Sequence, residues 1–166
     1  MELFKGLVIK RLEKYEDPRG WLCEVYREDE INYAPELSED TQSSIYKPVM
    51  SYVSVTNPGI SRGPHEHKHQ SDCFVFIGPG DFMLYLWDNR GGEEYKKFIQ
   101  MKIKVGETNP TCVIVPPGII HGYKCISEKP AWSINLPDKL YKGPGKIEEV
   151  DEVRWENMEN SPFKID

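Results

Sequence analysis

Residues 73–87 read CFVFIGPGDFMLYLW, two apolar runs around one turn: Cys73–Ile77 and Phe82–Trp87 flank Gly78-Pro79-Gly80. Both runs are too short for an ordinary helix. They are rich in aromatic and β-branched residues and are bounded by Pro and Gly, so two buried strands are predicted. The same pattern recurs outward from this pair, at Gly6–Ile9, Trp21–Tyr26, Val49–Val55, Phe98–Val105, Cys112–Val115, Tyr123–Ile126 and Ala131–Leu136. Within it, Tyr52-Val53-Ser54-Val55 and Met101-Lys102-Ile103-Lys104-Val105 alternate strictly, as strands with one wet face do. Turn signals at Asn57-Pro58-Gly59, Asn89-Arg90-Gly91-Gly92, Asn109-Pro110 and Pro116-Pro117-Gly118 keep the spacing near ~8–12 residues. An all-β sandwich or barrel of the jelly-roll kind follows. Short helical turns are expected at Glu28–Tyr33 and Val150–Met158, and loops at Ala34–Ser44 and Tyr141–Lys146. With no repeat and no linker, residues 1–166 read as one domain.

Composition narrows the class. With 39% hydrophobic and 29% charged residues the chain reads as a soluble globular protein. No run nears the ~18 apolar residues of a membrane span. Met1-Glu2-Leu3-Phe4-Lys5-Gly6 lacks a secretory pattern, so a cytoplasmic location is the default expectation. A net charge of −6 argues against a nucleic-acid partner. It leaves room for a phosphate ligand, which needs only two or three cationic side chains. Cys23, Cys73, Cys112 and Cys125 form no Cys-x-x-Cys pair, which excludes a zinc ribbon and favours free thiols.

The four histidines are the sharpest chemical signal. Three fall in Pro64-His65-Glu66-His67-Lys68-His69, and the fourth ends Pro116-Pro117-Gly118-Ile119-Ile120-His121. If residues 65–69 are extended, His65, His67 and His69 share a face. Such a cluster serves metal ligation or proton transfer.

His65-x-His67, Asp72 and Gly80, followed by Pro116-x-Gly118-x-x-His121, resemble the two motifs of the cupin superfamily, which implies a small cupin-type jelly-roll barrel with few short helices. Metal-binding cupins would use His65, His67, Asp72 and His121, with Asp72 in place of the usual Glu. That set would suit iron, manganese, nickel or zinc. A narrower resemblance rests on four ordered segments: Asp17-Pro18-Arg19-Gly20-Trp21-Leu22-Cys23-Glu24, Arg62-Gly63-Pro64-His65, Val115-Pro116-Pro117-Gly118-Ile119-Ile120-His121-Gly122-Tyr123 and Val153-Arg154-Trp155. They resemble the dTDP-4-dehydrorhamnose 3,5-epimerase family. The Arg62–Lys68 segment is also similar to that of the dTDP-sugar 3,4-ketoisomerases.

The resemblance implies an isomerase acting by proton transfer on a nucleotide-linked 4-keto-6-deoxy sugar, without a favoured cofactor, in carbohydrate biosynthesis. Arg19, Arg62 and Glu24 would bind substrate, and His65 would be the base. His67, His121 or Tyr123 would return a proton or support the enolate, and Asp72 would orient an imidazole. A homodimer with an exchanged N-terminal strand is implied. Two departures stand out. Ser71-Asp72-Cys73 has no counterpart of the family's enolate-stabilising Lys, and Ala131–Leu136 has none of its acid Tyr. Asp166 is the candidate for the family's His-orienting Asp. The alternatives are a metal-dependent cupin, with a divalent metal on the His/Asp set, or a non-catalytic sugar-nucleotide-binding cupin.

Overall fold

The computed structural model describes residues 4–29, 46–90 and 100–166. Two five-stranded antiparallel sheets face each other. One has the order β1 (Val8–Arg11), β9 (Thr111–Val115), β6 (Asp72–Phe76), β11 (Ala131–Asn135), β4 (Tyr52–Thr56). The other runs β12 (Val153–Arg154), β5 (Ser61–Glu66), β10 (Ile119–Cys125), β7 (Asp81–Asp88), β8 (Gln100–Gly106). A separate hairpin pairs β2 (Lys14–Asp17) with β3 (Gly20–Cys23). Helix among the described residues is limited to two 3₁₀ turns, Pro144–Lys146 and Trp155–Asn157. This is the expected all-β cupin-type fold.

Burial explains why some strands alternate and others do not. β6 and β9 are buried at every position. Phe74, Phe76, Val113 and Val115 point into the core between the sheets. Cys73, Val75, Cys112 and Ile114 point the other way, under Leu12 and Tyr46. A strand covered on both faces reads as a continuous apolar run. β8 lies at a sheet edge and keeps one wet face, and it alternates. All four cysteines are free thiols, with Cys73, Cys112 and Cys125 buried.

Several boundaries differ from expectation. β5 carries Ser, Arg, Gly, Pro, His and Glu, which apolar patterning overlooks. β2 is similarly polar and was not expected. β10 begins at Ile119, so His121 sits inside a strand. Val150–Met158 is β12 followed by a single 3₁₀ turn. The Tyr141–Lys146 loop ends in the other 3₁₀ turn. The predicted loop at 34–44, and most of the predicted turn at 28–33, lie outside the described residues.

Candidate active site

β5 and β10 pair with His65 opposite His121, and a register shift between His121 and Tyr123 follows. The approach is close at Gly63: at φ +78°, a Cβ there would stand 2.7 Å from the His121 carbonyl oxygen. Only glycine meets both demands cheaply. On the other edge of β5, β12 places Arg154 opposite His65 and Val153 opposite Glu66. The residues just before β12 thereby reach the histidines.

Asp151 organises the turn after β5. Its carboxylate accepts the backbone N–H of Lys68 (3.0 Å), His69 (2.7 Å) and Gln70 (3.0 Å). Its carbonyl accepts from His67 Nδ1. β5 ends at Glu66, so His69 does not continue the alternation and stands outside the four-residue cluster, contrary to the shared face expected of an extended 65–69.

That cluster is His65, His67, Asp72 and His121, with one donor atom from each lying within 4.8 Å of the others. Asp72 is 1% exposed and sits at its centre. Its Oδ2 is 3.1 Å from His67 Nε2 and 3.2 Å from His121 Nε2. Its Oδ1 accepts from Gln70 Nε2 (2.9 Å) and Asn135 Nδ2 (3.0 Å). Burial pushes the Asp72 carboxyl up, but the contacts with His121 and His67 outweigh it and hold the group well below the usual carboxylate range.

Two of the cavity-lining imidazoles, His65 and His67, diverge. Burial disfavours charge on His67, yet its bond to Asp72 and that carboxylate's charge raise it to about 9. His65 falls well below the ordinary histidine value, through burial first and then the neighbouring His121 and His67. His65 Nδ1 is 3.7 Å from Glu152 Oε1, while Arg154 holds the other oxygen of Glu152 at 2.7 Å. His65 and His67 open onto a cavity of about 1030 Å³, which Tyr52, Gln70, Tyr141 and Glu152 also line. Its wall carries both Lys139, Lys142, Lys146 and Arg154 and the carboxylates Glu148, Glu149, Asp151 and Glu152. The volume is that of a ligand site.

The donor set fits a divalent cation. His67 and His121 both direct Nδ1 at backbone carbonyls, of Asp151 and Ile119 respectively, so in the neutral rings the Nε2 lone pairs face Asp72. His121 Nε2 is buried and makes no well-aligned hydrogen bond, its one polar neighbour being Asp72 Oδ2 at 3.2 Å. Imidazoles fixed in this way through Nδ1 are a usual second layer around a metal.

The other expected site residues lie elsewhere. Tyr123 is enclosed by Phe74, Phe76 and Phe82, bonds Ser133 Oγ at 2.9 Å and is not part of the cavity wall. Arg62 braces β5 against β4, donating to Thr56 Oγ1 (2.9 Å) and the Val55 carbonyl (2.8 Å). Arg19 pairs with Asp17 on the exposed hairpin, and Glu24 faces Arg27 at 3.6 Å. Asp166 does not orient His65; its carboxylate bonds Lys102 Nζ at 2.8 Å, and Glu152 stands beside His65 instead. Glu152 and Asp151 precede the Val153-Arg154-Trp155 segment, and that adjacency was their one sequence signal. Gln70 and Asn135 are lone amides in no motif.

The fold is cupin-type, and the family model for dTDP-4-dehydrorhamnose 3,5-epimerase matches residues 2–156. The chain belongs to that family and is an isomerase-class enzyme. It is 29% identical over 139 residues to the spore coat polysaccharide biosynthesis protein SpsL of Bacillus subtilis, covering 84% of this chain and 83% of that one. It is 31% identical over 147 residues to the probable low-salt glycan biosynthesis epimerase Agl13 of Haloferax volcanii, covering 88% and 83%. Among solved structures, the 3'-monoepimerase ChmJ from Streptomyces bikiniensis in complex with dTDP-quinovose superposes with a TM-score of 0.71, at 17% identity, covering 92% of this chain and 71% of that one. No helix among the described residues is long and apolar enough to cross a membrane.

Proposed function

We propose that the protein moves a proton beside the ketone of a nucleotide-linked 4-keto-6-deoxy sugar. One observation carries this reading: two imidazoles on one cavity wall have their protonation pushed in opposite directions. Such divergence marks a base and an acid. His65, neutral and with Nδ1 turned to Glu152, offers Nε2 as the base. His67, kept protonated by Asp72, lines the cavity, unlike His121 and Tyr123, and would return the proton on opening one of its bonds to Asp72 or Asp151. Asp72 serves as the orienting carboxylate. Family membership and the dTDP-sugar ligand of the ChmJ structure support a nucleotide-sugar substrate. The test is His65→Asn, expected to bind dTDP normally while failing to turn over dTDP-4-keto-6-deoxyglucose. Unchanged turnover would refute the base role.

A homodimer belongs to the same reading. Tyr15, Trp21 and Leu22 on the β2–β3 hairpin are exposed, as are Val53, Val55 and Trp132 on β4 and β11. Arg19 and Glu24 ride on or beside that hairpin, and a second copy's cavity is where they would meet the nucleotide. Lys139 and Lys142 would answer the diphosphate from the chain's own side. Sedimentation as a monomer would refute the dimer.

A second reading is favoured by the buried His121 Nε2, which faces Asp72 without a well-aligned hydrogen bond. A divalent cation would be held by His65, His67, Asp72 and His121. When bound, it would supply a Lewis-acid pull on a substrate oxygen. Metal retained at one per chain after dialysis, with activity lost on chelation, would favour this reading over the metal-free one.

A further inference from the structure

A base alone does not complete proton abstraction beside a ketone. The electron pair released from carbon ends on the carbonyl oxygen, and that oxyanion needs a donor aimed at it. Position 72 cannot supply one, because its carboxylate accepts from every side. Gln70 is committed to Asp72, and Tyr123 is shut in the core.

Tyr52 remains. It lies on β4 directly across from Asn135 of β11, and it lines the cavity with His65 and His67. Asn135 fixes its hydroxyl. Asn135 Oδ1 accepts the Cys73 N–H at 3.1 Å, which sets the amide orientation. Asn135 Nδ2 then spends one hydrogen on Asp72 Oδ1 (3.0 Å) and the other on the Tyr52 hydroxyl (2.8 Å). The hydroxyl therefore acts as an acceptor toward the protein, and its own hydrogen is left for the cavity.

We propose that Tyr52 is a catalytic residue whose hydroxyl donates a hydrogen bond to the ketone oxygen as it becomes an enolate; this rests on the His65 reading above. His65 takes the carbon-bound proton, the C–H pair forms the C=C bond, and the carbonyl π pair becomes the enolate lone pair. Tyr52 keeps its proton throughout, and reversal restores the ketone. Burial, then the nearby Asp72 charge, push the Tyr52 phenol up to about 12, so it stays protonated at neutral pH. Asp72, Tyr123 and Glu152 act on it electrostatically.

The test reads solvent-deuterium exchange into dTDP-4-keto-6-deoxyglucose by NMR, with dTDP affinity as a control. Tyr52→Phe should slow exchange by about 10²–10³-fold, as loss of one oxyanion donor does, at unchanged dTDP affinity. Because Phe also strips Asn135 of an acceptor, a fluorinated tyrosine at position 52 is the second variant. It keeps shape and hydrogen bond but ionises at lower pH, and should introduce an alkaline fall in exchange that native protein lacks. Native exchange in Tyr52→Phe, or a fluorotyrosine profile superimposable on the native one, would overturn the role of Tyr52 alone. Native protein that exchanges no proton would overturn the His65 reading and this proposal with it.

Discussion

His65 Nδ1 faces Glu152 Oε1 at 3.7 Å, although the two residues come from strand β5 and from the approach to the last strand. Arg154 holds the other Glu152 oxygen and so keeps Oε1 turned to the imidazole. Glu152→Gln keeps the shape and removes the charge that steadies a protonated His65. The expected outcome is a fall in kcat on dTDP-4-keto-6-deoxyglucose of the order of 10–100-fold, less than the ~10²–10⁴-fold contribution of a general base itself. KM should change little. A native kcat in this variant would count against the pairing.

Gly63 is the geometric condition for bringing His65 opposite His121. Gly63→Ala forces a residue with a Cβ into φ +78°, 2.7 Å from the His121 carbonyl. Destabilisation beyond ~1 kcal/mol is expected, with loss of turnover, and urea unfolding would measure it. A midpoint equal to the native one would show that the strands can part without cost.

Asp151 caps the turn from Lys68 to Gln70 with one carboxylate. Asp151→Ala leaves three N–H groups without it, at a cost of about 1.5–3 kcal/mol. Hydrogen exchange at the amides of Lys68, His69 and Gln70 should accelerate. Amides that stay as protected as before would contradict the capping role.

The pH dependence of stability has two signed parts in chelator-treated protein. His67 holds its proton to about pH 9 when folded, whereas an unfolded imidazole releases it near about 6.5. Its stabilisation is complete below about pH 6.5 and is lost as pH rises through 9. His65 has the opposite sign, because its folded value lies well below the unfolded one. Acidification below about 6.5 protonates the unfolded chain first, and stability falls. The urea midpoint should therefore peak near about pH 6.5. His67→Asn should flatten the alkaline side and His65→Asn the acid side. A native profile that stays level between pH 6 and 9 would sink the His67 assignment.

The fold was legible because its buried strands are apolar. Cys73-Phe74-Val75-Phe76 is covered on both faces, and its continuous run announces it. β5 was invisible to that signal because it is built of Ser, Arg, Gly, Pro, His and Glu. The histidine cluster was readable because His65 and His67 are two apart on one edge and His121 follows a turn motif. Glu152, Asp151, Asn135 and Tyr52 were not readable in these roles. Each acts through a partner distant in sequence, so only the pairing of β12 with β5 and of β4 with β11 brings them in. Asp166 shows the reverse: its place near the end of the chain invited a role at His65, whereas its carboxylate is bound to Lys102.

The most direct measurement is deuterium uptake by dTDP-4-keto-6-deoxyglucose in deuterated water with the native, metal-free protein, followed by NMR. Label at carbon 3, or at carbons 3 and 5, is the expected result and would show that this site removes a proton beside the ketone. A sugar recovered without label, from folded protein that binds dTDP, would contradict proton transfer by His65.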